Sequence, residues 1–105
     1  MFFHSDHVKP EIVKDLLDKN EATLIDVRTK EEYDAIHIRG ARLLTLEGMP
    51  ENLSQYPDKT KTYIVYCQSG HRSGSAARLM RKAGYTNVLD LGGIYNWPYE
   101  TDNAK

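Results

Sequence analysis

The stretch Tyr63-Ile64-Val65-Tyr66-Cys67-Gln68-Ser69-Gly70-His71-Arg72-Ser73 decides how this chain folds. Tyr63 to Tyr66 are four β-favouring residues in a row, which suits a strand buried on both faces. A loop of Gln68, Ser69, Gly70 and His71 follows, and a helix begins near Arg72, with Ala76, Leu79, Met80 and Ala83 at helical spacing. Gly84 stands where a C-terminal cap belongs. Cys67, the single cysteine of the chain, therefore lies at a seam between strand and helix.

Such a seam directs several backbone N–H groups into one hollow, and the positive end of the following helix points at the same spot. Anions gather there, and the same field favours thiolate over thiol. A lone cysteine is more commonly a small buried core residue. Here its place after a hydrophobic strand and before Gly70 and Arg72 points instead to a nucleophile.

Outward from the seam, Ile12, Val13, Leu16 and Leu17 recur on one face of a polar segment, giving an amphipathic helix with Pro10 near its start. Residues 23–27 form a short apolar run and read as a strand buried on both faces. Thr29 and Glu32 have the spacing of a capping box, so a short helix starts at Thr29. Residues 41–46 read as a further strand, residues 50–55 as a helical turn or two, and residues 56–59 as a turn. Residues 87–91 supply a last strand before Gly92-Gly93. Short buried strands alternating with helices predict an α/β layered domain with a mainly parallel sheet of about five strands. In such sheets ligands bind beyond the carboxyl ends of the strands, which places Cys67, Arg28 and Gly92-Gly93 on one rim.

The chain has 105 residues, 40% of them hydrophobic, which suits one domain over residues 1–105 with its core at about 8–99 and a polar tail at 100–105. A formal charge of -1, with no basic run interleaved with aromatics, gives no sign of nucleic-acid binding. One cysteine permits no internal disulfide, and residues 1–6 lack both a basic region and a long apolar stretch. The expected location is cytoplasmic, with no membrane partner.

Four ordered segments resemble the single-domain rhodanese family of thiosulfate sulfurtransferases. Leu24-Ile25-Asp26-Val27-Arg28 with Glu32 resembles its opening segment, and His37-Ile38-Arg39-Gly40-Ala41 its "HIPGA" stretch. Cys67 to Ser73 resembles its active loop, and Gly92-Gly93 with Trp97 its closing motif. Ile36 stands where the family usually has Gly, and Arg39 where it usually has Pro. Both departures fall in a structural segment and bear on loop rigidity more than on chemistry.

The resemblance implies a rhodanese-like three-layer fold and a catalytic Cys67. Its thiolate attacks the outer sulfur of an anionic donor such as thiosulfate, sulfite leaves, and a persulfide remains. Cyanide or a cellular thiol then removes that sulfur. The loop amides from Gln68 to Ser73 stabilise the anionic sulfur, Arg72 is the candidate for holding the donor's oxygens, and Ser69 and Ser73 offer hydroxyls. Substrate-binding residues are thus Gln68, Ser69, Gly70, His71, Arg72 and Ser73, with no cofactor and no metal. Asp26, Arg28 and Glu32 read as charged support behind the loop, or alternatively as an exposed pair between Arg28 and Glu32. His4, His7 and His37 come without a second cluster of metal ligands. Tyr95, Trp97 and Tyr99 read as packing around Gly92-Gly93.

Two other readings stay open. A persulfide carrier that docks on a partner protein would use the same cysteine. A cysteine phosphatase or arsenate reductase would need a larger loop, since those enzymes place five residues between Cys and Arg where this chain has four between Cys67 and Arg72.

Overall fold

The computed structural model describes residues 7–104; Phe2, Phe3 and His4 lie outside them. Helix α1 (Pro10–Asp18) starts on its proline, whose missing N–H costs nothing at that position. Val13 on α1 is fully buried and Leu16 and Leu17 are partly buried, whereas Ile12, expected on the same face, is 48% exposed. Strand β1 (Thr23–Asp26) follows. Helix α2 (Lys30–Ala35) is entered through the predicted capping box, with the Thr29 hydroxyl accepting from the Glu32 amide and the Glu32 carboxylate accepting from the Thr29 amide.

Two short strands, β2 (His37–Ile38) and β3 (Arg42–Leu43), come next, so the apolar run at 41–46 is extended over only two residues before 3₁₀ turns at Leu46–Gly48 and Glu51–Gln55. Strand β4 (Thr62–Cys67), helix α3 (His71–Lys82) and strand β5 (Asn87–Gly93) complete the centre. The sheet runs β3-β1-β4-β5 with every pair parallel, four strands where about five were expected. The remaining extended segment, β6 (Thr101–Asp102), pairs antiparallel with β2 in a separate small sheet. The expected polar tail is therefore partly structured: Arg39 donates to the Asp102 carboxylate and faces Glu100, which ties residues 100–102 to the β2 segment.

Strand β4 is apolar on both faces because it is covered on both. Tyr63, Val65 and Cys67 point to one side, where Ala76, Ala77 and Met80 of α3 pack with Ile25 and Val27. Ile64 and Tyr66 point to the other, against Val13 of α1, Leu24, Ile38 and Leu91. This period-two division within an unbroken hydrophobic run gives helix, sheet and helix layers.

One irregularity positions the site. Val65 lies opposite Asp90, but Tyr66 lies opposite Gly92, so β5 carries an extra residue, Leu91, against β4. The bulge brings Gly93 into register with Cys67. Gly92 takes a φ of +89, and its amide donates to the Asp90 carboxylate at 2.9 Å, which fixes the kink.

Candidate active site

Cys67 is the last residue of β4, and the chain beyond it turns at once into α3. Gly70 makes this possible: at φ +106 it occupies the left-handed region, unfavourable for a residue with a β-carbon, and caps the helix. Its carbonyl accepts from the Gly74 amide to begin the helical ladder, and from the Ser73 hydroxyl at 3.1 Å. The left-handed residue followed by helical ones forms a nest of converging amides.

The occupant of that nest is the cysteine sulfur. Gly70 N donates to Cys67 Sγ at 3.0 Å and Ser73 N at 3.3 Å. Cys67 is only 1% exposed and belongs to the core cluster under α3, yet its sulfur is met by two amides rather than by hydrocarbon alone. Two amide hydrogens directed at one sulfur are placed to meet negative charge there. Of the amides expected from Gln68 to Ser73, those of Gly70 and Ser73 are the ones that reach it.

The other predicted residues divide by what they touch. Gln68 and Ser69 are exposed on the loop, and His71 is exposed at the first position of α3. The Gln68 side chain faces backwards, its Oε1 accepting from Arg28 Nη1 at 3.2 Å. Arg72 donates through Nη1 and Nη2 to the two Glu32 oxygens at 2.7 and 2.9 Å. That bidentate pair holds the Glu32 carboxyl well down, at about 2, and raises Arg72 in turn. Two of the roughly five guanidinium donors are therefore committed to α2.

Behind the loop, Arg28 and Asp26 are buried together, with Arg28 Nη2 donating to Asp26 Oδ2 at 2.7 Å and to the Ile36 carbonyl at 2.6 Å. Arg28 turns inward to Asp26, so the alternative exposed pairing with Glu32 does not form. Tyr66 donates its hydroxyl to the same Asp26 oxygen at 2.7 Å and accepts from the Ile38 amide at 3.0 Å. Burial, reinforced by the Asp26 carboxylate, pushes the Tyr66 phenol strongly up, so it remains a donor. The network joins β1, β2, β4 and the active loop, and Ile36 enters it through its backbone. Arg39 stays at the surface with Asp102 and Glu100.

The closing Gly-Gly segment abuts the loop. A β-carbon at Gly93 would stand 2.6 Å from the Gln68 carbonyl and 2.7 Å from the Tyr95 ring, so glycine alone lets β5 approach. Tyr95 is 68% exposed, while Trp97 packs partly buried on the α1 side. His7 is a further neighbour of the site. Its ring lies against Gly92 and near Gly70, and its Nε2 is 3.7 Å from Asp90 Oδ2. No local motif marks it, because the contact joins residues more than sixty positions apart. His37 stacks on Tyr33 at 3.8 Å.

Strand, nest, buried cysteine and closing glycines match a known arrangement. The chain matches the Rhodanese-like domain family over residues 9–99 and belongs to it. It is 39% identical over 71 residues to the thiosulfate sulfurtransferase PspE of Escherichia coli, covering 67% of this chain and 68% of that protein. It is 37% identical over 94 residues to the probable adenylyltransferase/sulfurtransferase MoeZ of Mycobacterium tuberculosis, covering 86% of this chain but spanning only 24% of that longer protein. Among solved structures, the Alr3790 protein from Anabaena superposes with a TM-score of 0.84 at 26% identity, over 91% of this chain and 80% of that one. The resemblance read from the four sequence segments is thus the family to which the chain belongs. Among the described residues, no helix is long and apolar enough to cross a membrane.

Proposed function

We propose that this chain moves a sulfane sulfur from thiosulfate or a related persulfide to a thiophilic acceptor through a persulfide on Cys67. The observation that carries this reading is the pair of amides, from Gly70 and Ser73, on Cys67 Sγ. In the first step the Cys67 thiolate attacks the outer sulfur of the donor. The donor's S–S bond breaks, sulfite leaves with its electron pair, and the new S–S bond leaves the negative charge on the terminal sulfur. In the second step cyanide or a thiolate attacks that terminal sulfur and the Cys67 thiolate is released. The nest stabilises charge on sulfur at both stages.

The loop residues Gln68, Ser69, Gly70, His71, Arg72 and Ser73 form the substrate-binding rim in this reading. Arg72 retains donors for the anion while Glu32 offsets its charge at the helix N-terminus, where an unpaired cation would oppose the dipole. The name of PspE supports thiosulfate as a donor. With four residues between Cys67 and Arg72, the loop is also shorter than a phosphatase cradle.

A second reading, a persulfide carrier serving a partner protein, is favoured by the match to about a quarter of MoeZ, where the similar segment is part of a longer chain. Intact mass after exposure to thiosulfate tests both. A gain of one sulfur atom, reversed by reductant and absent in Cys67→Ala, is the expected result; no gain overturns the proposal. Rapid thiocyanate formation on adding cyanide then identifies a free-standing transferase, and rapid loading with slow turnover a carrier.

A further inference from the structure

His7 lies outside every motif of the chain, yet it is placed against the loop that holds the sulfur. The backbone next to it is pinned to the sheet: Val8 N donates to the Asp90 carbonyl at 2.9 Å. The Asp90 side chain, 4% exposed, divides its two oxygens. Oδ1 accepts from the Gly92 amide at 2.9 Å, and Oδ2 stands 3.7 Å from His7 Nε2.

The ring then fills the space that Gly92 leaves and reaches towards Gly70. A β-carbon at Gly92 would lie 2.8 Å from His7 Nδ1 and 2.9 Å from Cε1, a contact that side chains do not make. A β-carbon at Gly70 would lie 3.5 Å from His7 Cε1, and 3.8 Å from Gly92 Cα. Gly70 is the residue whose amide donates to Cys67 Sγ at 3.0 Å. The imidazole therefore sits on Gly92 beside Asp90, with Gly70 next to both and the sulfur beyond it.

We propose that His7 is a positioning residue for sulfur transfer: its ring, seated on Gly92 beside Asp90, limits how far Gly70 can move, so that the Gly70 amide stays directed at Cys67 Sγ. The inference rests on the proposed Cys67 persulfide chemistry and extends it to a residue outside the loop. Gly70 has no side chain of its own to hold its backbone, and its left-handed conformation is one that glycine leaves easily. A packed ring supplies the restraint from outside. His7 does not touch the sulfur, so its effect passes entirely through Gly70.

The test uses the full, reduced chain mixed with thiosulfate, quenched at intervals and read by intact mass for the added sulfur atom. His7→Ala is expected to slow loading about tenfold, since small misplacements of preorganised groups carry penalties of that order or larger. His7→Phe, which keeps a ring of similar breadth, is expected to recover loading to within about threefold of the parent. The backbone amide signal of Gly70 should move in His7→Ala, with the thermal midpoint nearly unchanged. A purely structural role would lower the midpoint and leave loading per folded molecule intact. Loading by His7→Ala at the parental rate overturns the inference, as does a His7→Phe variant as slow as His7→Ala. If the parent itself gains no sulfur, the persulfide reading falls, which is a different outcome from a parent that loads and a variant that loads equally well.

Discussion

Arg72, two residues into α3, and Glu32, in the first turn of α2, are joined by two parallel hydrogen bonds of 2.7 and 2.9 Å. The pair straps α2 across the mouth of the loop whose amides hold Cys67, and its fork geometry is one that an ammonium cannot copy. Arg72→Ala is expected to lower the second-order rate of sulfur loading from thiosulfate about tenfold. Arg72→Lys should recover only part of that loss, keeping the charge without the bidentate contact. Single-turnover loading, followed by mass, measures both.

The same pair predicts a dependence on acid. The Glu32 carboxyl is held at about 2, below its ordinary value of 4.5, chiefly by the Arg72 hydrogen bonds. A depressed folded-state value means that the unfolded chain binds the proton first. The stabilisation is therefore complete above about pH 4.5 and is lost as pH falls towards about 2. Denaturant midpoints measured across that interval should fall less steeply in Glu32→Gln than in the parent. Equal slopes would show that the pair adds nothing to folding.

Gly70→Ala isolates the nest from the cysteine. The nearest atom to a new β-carbon, His7 Cε1, is an ordinary 3.5 Å away, so the cost comes from the backbone at φ +106 rather than from a clash. That conformation costs a residue with a β-carbon about 1–2 kcal/mol. Relaxing it turns the amide off the sulfur. Stability should fall by that amount in denaturant titration and loading by about a hundredfold, the scale of losing one preorganised donor.

Arg28→Met leaves Asp26 buried without its cation, and both side chains are almost wholly enclosed. The expected destabilisation is about 3–5 kcal/mol in equilibrium unfolding. Adding Asp26→Leu should restore part of it, because removing both charges is less costly than stranding one. If the single variant unfolds at the parental midpoint, Arg28 is not holding the rim together.

The layered fold and the amide-lined place of Cys67 were legible because both are written locally. A four-residue apolar strand, a glycine and a helical repeat within about twenty positions leave few other geometries, and the Thr29–Glu32 capping box is complete within four residues. Other features depend on what lies across the molecule. Arg28 has the same spacing to Glu32 as a surface pair, but burial beside Asp26 and Tyr66 draws it inward. Thr101 and Asp102 carry no strand pattern of their own; they become extended because β2 offers an edge and Arg39 a charge. Gln68 reads as a loop residue supplying an amide, whereas its side chain is captured by Arg28. His7 is invisible on the same grounds, since nothing near it in sequence points towards Gly70.

The additional residue in β5 also sets a rule for how this chain tolerates change in length. Exposed surface connections in general tolerate an inserted or deleted residue with little effect beyond themselves. Removing Leu91 would instead leave Gly92 opposite Tyr66 and Gly93 opposite Cys67 but erase the bulge, and with it the kink that the Gly92 amide and Asp90 fix beside the loop. Between Asp90 and Gly93 the count of residues, as much as their identity, is what the sulfur site cannot give up.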